Sequence, residues 1–214
     1  MTQPRSDATL GAALLDIARH APTPSEALRA AGIIDAVPEL AALATTPQDP
    51  VWHPEGHVLV HSLWAADLAA TDADHRGLDV DRRALLVLAA MLHDVGKPDT
   101  TQTRDGRIIS PGHAERGAEL IRSLGERLEL PGPLVRAVAA IAETHMAHVS
   151  VRGEPSRRAV RRLRDRLEAA GTSLDDWGVV VRCDGEARGA AARPTHPFRG
   201  GAWRATSTVA EAQT

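Results

Sequence analysis

The chain has 214 residues, 43% of them hydrophobic, and a formal charge of −3, which suits one domain with a real core and excludes a global pull towards nucleic acid or anionic membrane. Its single cysteine, Cys183, excludes an intramolecular disulfide and fits a reducing compartment. The polar start MTQPRSD is no signal peptide, and no apolar run reaches the roughly 18 residues that span a bilayer, so a soluble cytoplasmic protein is expected.

There is no Tyr and one Phe, and Ala and Leu dominate, so the expected fold class is all-α. Residues 8–19 and 25–31 read as two short amphipathic helices, the second opened by a Ser25 cap ahead of Glu26, and make an N-terminal helical extension over residues 1–35. Residues 38–57 (PELAALATTPQDPVWHPEGH) leave helical periodicity for a Pro-rich connector pinned to the body by Trp52, with His53 beside it. From Glu55 to Ala70 a helix carries His57 and His61 one turn apart on one face. Such a pair can share a metal. His61, deeper in the helix, is the expected ligand, and His57, in the first turn, the bystander. Residues 71–81 read as an acidic loop with a solvated His75.

Residues 84–97 (ALLVLAAMLHDVGK) form the stretch around which the rest is arranged: a helix apolar on most of its circumference that ends in His93 and Asp94, stopped by Gly96 and Pro98. An imidazole and a carboxylate side by side at a buried helix end are costly unless something pairs with them, and a divalent cation does that well. Lys97 is the only lysine in the chain, three residues after Asp94, where a compact ammonium fits better than a guanidinium. Beyond it, Asp105-Gly106 between Thr103 and Ile108-Ile109 predicts a small hairpin over residues 103–109.

His113 opens a helix to about Leu128, and Leu134–Met146 is a further helix that delivers His145. Residues 152–170 are strongly basic. Val160, Leu163 and Leu167 supply a buried stripe, so the Arg157–Arg166 helix turns most arginines to solvent, and RNA phosphates are a possible partner for that face. The last helix, from Ser173 to about Arg188, buries Val179–Val181 and Cys183 and carries Asp184, a carboxylate that needs a cation or a firm hydrogen-bond network there. Residues 191–214 read as a disordered tail.

His61, His93-Asp94, His113, His145 and Asp184 thus fall on five separate helices as imidazole and carboxylate donors without a thiolate. That set disfavours a closed structural zinc site and favours Mn, Fe, Co, Ni, Mg or catalytic Zn, one ion or two.

The order His61, His93-Asp94, Asp184 resembles the H…HD…D signature of the HD-domain superfamily of metal-dependent phosphohydrolases. The stretches PELAALATTPQDPVWHPEGHVLVHSL, LAAMLHDVGKPDTT, PGHAERGAEL and ETHMAH closely resemble the HD domain of bacterial CCA-adding tRNA nucleotidyltransferases, over residues 36–190. The resemblance implies an HD-domain helical bundle with a metal site at its centre. It matches His61, His93, Asp94 and Asp184 to the first metal set, and His113 and His145 to additional ligands of two-metal members. It departs at His57, where that family has Asp, and in DGEARG, which leaves Glu186 as the alternative to Asp184. About 50 N-terminal residues are too few for a nucleotidyltransferase domain, so a free-standing HD domain without CCA addition is expected.

The implied activity is hydrolysis of small phosphate esters of nucleotides or RNA ends by metal-activated water, as 2′,3′-cyclic phosphodiesterase, 2′-nucleotidase or phosphatase. Asp94, Lys97 and His113 are its expected catalytic residues, with Arg116 as a bidentate clamp. The alternatives are a di-iron HD-type oxygenase and an inactive nucleotide- or RNA-binding module.

Overall fold

The computed structural model describes residues 6–149 and 154–189. These form α1 (Asp7–His20), α2 (Pro24–Ala30), α3 (Ile33–Ala36), α4 (Pro38–Leu43), α5 (Val58–His75), α6 (Val80–Leu92) and α7 (Lys97–Thr100), followed by a hairpin of β1 (Gln102–Arg104) and β2 (Arg107–Ile109). Then come α8 (His113–Arg127), α9 (Gly132–Thr144), a 3-10 turn (His145–His148), α10 (Arg157–Ala169) and α11 (Leu174–Glu186). The described residues are all-α apart from that hairpin. The tail expected to be disordered, residues 191–214, lies outside the described residues, as does Arg152 of the basic stretch.

The central helix is α6. Asp79 caps it by accepting the N–H groups of Asp81 and Arg82, and every residue from Arg83 to Leu92 is buried. A helix apolar all round has to be covered on all sides, and α1, α5, α9 and α11 pack against it. On α5, Ala65, Ala66, Ala69, Ala70 and Ala73 are buried, and small residues at this spacing let α5 lie close against α6. Arg83 is a cation inside this core. Its guanidinium donates to Asp74 and to the carbonyls of Ala18 and Ala21, so it also satisfies acceptors at the end of α1.

Three local expectations change. Ser25 does not cap α2, whose N-cap is Thr23; the Ser25 hydroxyl and N–H both donate to Asp67, joining α2 to α5. The 38–57 segment retains a helix, α4, started by Pro38 at its first position. Finally, α5 begins three residues later than expected and runs on to His75, because the alanine stripe continues to a buried Ala73 while Asp72 pairs with Arg76 and Arg182 and Asp74 with Arg83. His75 is exposed, as expected.

The hairpin forms where it was expected. Asp105 and Gly106 both take positive φ, 50° and 71°, the pair of left-handed residues that a tight two-residue turn requires. On α10, Val160, Leu163 and Leu167 are buried and Ser156 supplies the cap. A capping box between Ser173 and Asp176 starts α11.

Candidate metal centre

Helix ends and one helix interior deliver the polar cluster. His61 lies in the second turn of α5, His93 and Asp94 directly follow α6, and Lys97 opens α7. His113 is the first residue of α8, His145 follows the last residue of α9, and Asp184 lies in the last turn of α11. Two features seat these ends. A Cβ on Gly96 would stand 2.2 Å from the His113 carbonyl oxygen and 2.5 Å from the Gly117 nitrogen, so only glycine lets the turn after Asp94 press against the start of α8. The fully buried Trp177 of α11 donates its indole N–H to the Thr144 carbonyl at 3.1 Å, which holds the α9 terminus that carries His145.

The ring nitrogens are set by backbone. His93 Nδ1 lies 2.7 Å from the Ala90 carbonyl, His113 Nδ1 2.7 Å from that of Ser110 and His145 Nδ1 2.6 Å from that of Ala142. Each Nδ1 therefore donates to a carbonyl, and each ring turns its Nε2 inward. His61 differs: its Nδ1 lies 2.9 Å from Glu55 Oε1 without the alignment of a full hydrogen bond, and its Nε2 donates to Asp184 Oδ1 at 3.1 Å.

All four Nε2 atoms converge on Asp94 and Asp184. Asp94 Oδ2 is 3.3 Å from His93 Nε2 and 3.9 Å from His61 Nε2, while Asp94 Oδ1 is 3.3 Å from His113 Nε2 and 3.8 Å from His145 Nε2. Asp184 Oδ1 is 3.1 Å from His61 Nε2 and 3.7 Å from His93 Nε2. The Lys97 ammonium lies 2.6 Å from Asp94 Oδ2 and donates to Gln48 Oε1 at 2.7 Å.

Burial and charge oppose each other here. Burial pushes Asp94 up, but the Lys97 ammonium and His93 outweigh it and hold the carboxyl well below its ordinary range. Burial likewise pushes His93 down, and Asp94 and Asp184 overcome it, raising the ring to about 10. His145 is driven down to about 3 by burial and then by the His93 charge, so it is neutral across the working pH range. The cluster thus takes up a cation, a proton in its simplest form.

The donor set fits a divalent metal. Among the described residues the buried side-chain atoms without a hydrogen-bond partner are Glu55 Oε2, His61 Nδ1, Ser62 Oγ and His93 Nε2, and all but Ser62 belong to this cluster. His113 and His145 also bring Nε2 within 3.2 Å of Nε2. Since both Nδ1 atoms donate to carbonyls, a contact this short needs a cation between the two nitrogens, a proton or a metal ion. Within this cluster His61, His93 and Asp94 form one metal-sized group and Asp94, His113 and His145 another.

The structure brings together His61, His93, Asp94, His113, His145 and Asp184, with Lys97 against them. It leaves His57 exposed at the N-cap of α5 and Glu186 exposed beyond Asp184. Arg116 is partly exposed and engaged elsewhere, its Nε donating to Asp99 at 2.7 Å and its Nη1 to Glu119 at 2.9 Å, so the expected clamp requires those pairs to break. Sequence reasoning missed Gln48 and Glu55. The Glu55 side chain is fully buried, and burial raises its pKa less than His53 and His61 lower it, to about 2. The available signal was the connector itself: a Pro-rich loop that carries Trp52 and His53 and is pinned to the body invites a search for what pins it.

An HD-domain family model matches residues 58–170. The chain is 31% identical over 191 residues to the "Multifunctional CCA protein" of Verminephrobacter eiseniae, a match covering 88% of this chain and 43% of the relative. It is 37% identical over 139 residues to the protein of that name from Halorhodospira halophila, covering 63% and 31%. With the Cupriavidus metallidurans protein it shares 30% over 153 residues, covering 72% and 34%. It spans less than half the length of these relatives. With the family model covering more than half of the chain, and His93-Asp94 at the centre of the cluster, the chain belongs to the HD-domain family.

Proposed function

We propose that the chain is a metal-dependent phosphohydrolase acting on phosphate esters of nucleotides or RNA ends, of 2′,3′-cyclic phosphodiesterase, 2′-nucleotidase or phosphatase type. One observation carries the reading: Asp94 turns one oxygen to His61 and His93 and the other to His113 and His145, as a carboxylate shared between two cation sites does. His61, His93, Asp94 and Asp184 would hold one divalent ion, and Asp94, His113 and His145 a second. Mn, Ni, Co, Mg, Fe and Zn all suit such donors. A bound ion of this kind supplies Lewis acidity, acidifying a water and polarising a phosphoryl oxygen.

The chain's own groups do the rest. Of the three N–H donors on Lys97, Asp94 and Gln48 take two. The third and the ammonium charge remain to offset charge that develops on the phosphoryl group. His113 is 9% exposed and His145 1% exposed, so His113 is the imidazole that a substrate reaches and the one placed to move a proton. Arg116 contributes only where substrate draws it from Asp99 and Glu119. An RNA substrate would also meet Arg157, Arg158, Arg161 and Arg162, all exposed on α10.

The test is product release from 2′,3′-cyclic AMP by purified protein with each metal added singly, beside Asp94→Ala. The expected result is turnover that depends on metal and falls by at least about a thousandfold in the variant, since both ion sites lose a shared ligand. Stoichiometric metal binding with no hydrolysis of any phosphate ester would overturn the reading.

A further inference from the structure

A cavity of about 410 Å³ lies outside the metal cluster, between the Asp49–Trp52 turn and the tip of the hairpin. It is lined by Asp49, Pro50, Val51, Trp52, Arg107 and Ile108, with the Gly106 backbone. Both of its walls are anchored in the metal centre. On one side, Gln48 accepts from the Lys97 ammonium, and His53, next to Trp52, stands edge-on to His61 with ring centres 5.0 Å apart and bonds Glu55 at 2.8 Å. The Asp49 carbonyl accepts the N–H groups of Trp52 and His53, and its carboxylate that of Val51, so this turn is fixed while Val51 stays 43% exposed. On the other side, the hairpin begins five residues after Lys97 and ends just before Ser110, whose carbonyl holds His113 and whose hydroxyl meets Thr101 at 2.8 Å.

The lining says what such a cavity takes. It offers an indole, three aliphatic side chains and one guanidinium, and its two charges cancel: Arg107 is 65% exposed and only loosely paired, its Nε 3.8 Å from Asp49. A phosphate would want a net positive nest of donors. A flat aromatic heterocycle wants this surface instead, a ring to stack on and a cationic plane at the rim. We infer that the cavity between the Asp49–Trp52 turn and the hairpin is the nucleobase subsite of the enzyme, with Trp52 the stacking platform and Arg107 the rim contact, so that the substrate is a nucleotide read at both its phosphate and its base. This rests on the phosphohydrolase reading for the position of the phosphate.

The test compares 2′,3′-cyclic AMP with methyl riboside 2′,3′-cyclic phosphate, which has the same reacting group and no base. In the wild type the cyclic nucleotide is expected to be preferred. That preference, as a ratio of kcat/KM values, should fall about tenfold in Trp52→Ala through KM, be kept by Trp52→Phe and fall about threefold in Arg107→Met. Equal losses on both substrates in Trp52→Ala, or an unchanged ratio, would overturn the subsite. If neither ester is turned over with any metal, the phosphohydrolase reading fails, and calorimetric binding of adenosine 2′-phosphate against ribose 5-phosphate decides the subsite alone. Selective weakening of the first in Trp52→Ala supports it, and equal affinities in wild type and variant sink it.

Discussion

Glu55 stands behind the proposed ligand His61 and outside the proposed ligand set. Its carboxylate is buried in a connector, faces His61 Nδ1 at 2.9 Å and is kept ionised by His53 and His61. A carboxylate behind a ligating imidazole fixes the ring and makes it a stronger donor. Glu55→Gln should therefore weaken metal affinity by about 10- to 100-fold with the fold intact, read by competition with a chromogenic chelator and by circular dichroism. An affinity within twofold of wild type would show that Glu55 does not set His61 as a donor. His61 and His93-Asp94 were legible in the sequence because a polar pair at the end of an apolar run has few other uses. Glu55 was not, since a glutamate in a Pro-rich loop looks like any solvated charge until the loop is seen folded over α5.

At the level of elements, the site depends on two helix termini meeting. The turn after α6 touches the first turn of α8 only because Gly96 and Gly117 approach each other there. Gly96→Ala puts a methyl 2.2 Å from a backbone oxygen, which no side-chain rotation relieves. The expected cost is about 2–4 kcal/mol in urea unfolding, together with loss of the ion proposed at His113 while the one proposed at His61 and His93 is retained. A variant that binds two metals with unchanged stability would contradict this. The elements themselves were legible from periodicity, the hairpin included, since Asp105-Gly106 is local turn chemistry. The misplaced boundaries share one cause. Ser25 and Thr71–His75 are polar, and tertiary partners, Asp67 for one and the alanine stripe facing α6 for the other, decided their conformation.

At the scale of the whole molecule the candidate metal centre sets burial against charge, because six ligand candidates and a lysine converge inside the bundle. In the metal-free protein His93 is raised from 6.5 to about 10, so the stability from its protonated ring is fully present below pH 6.5 and is lost as pH rises through 10. Asp94 and Asp184 are held below 3.8, so their contribution is present above that value and is lost as pH falls through their lowered ones. In chelator, the melting temperature should decline between pH 7 and 10. Saturating Mn takes the place of the proton and should flatten that slope, adding about 2.7 kcal/mol at a hundredfold excess over Kd. A metal-free protein equally stable at both pH values would count against a proton shared in the cluster. By itself the sequence determined the helical class, the central α6 and the donor types, because apolar periodicity and the cost of burying His and Asp are properties of the residues. Tertiary structure alone decided that Asp184 and not Glu186 faces the histidines, that Arg116 turns to Asp99, and that Gln48, Glu55 and Trp52 stand beside the centre. Those outcomes depend on which helix ends are brought within a few ångströms of one another, and packing between segments distant in the chain sets that distance.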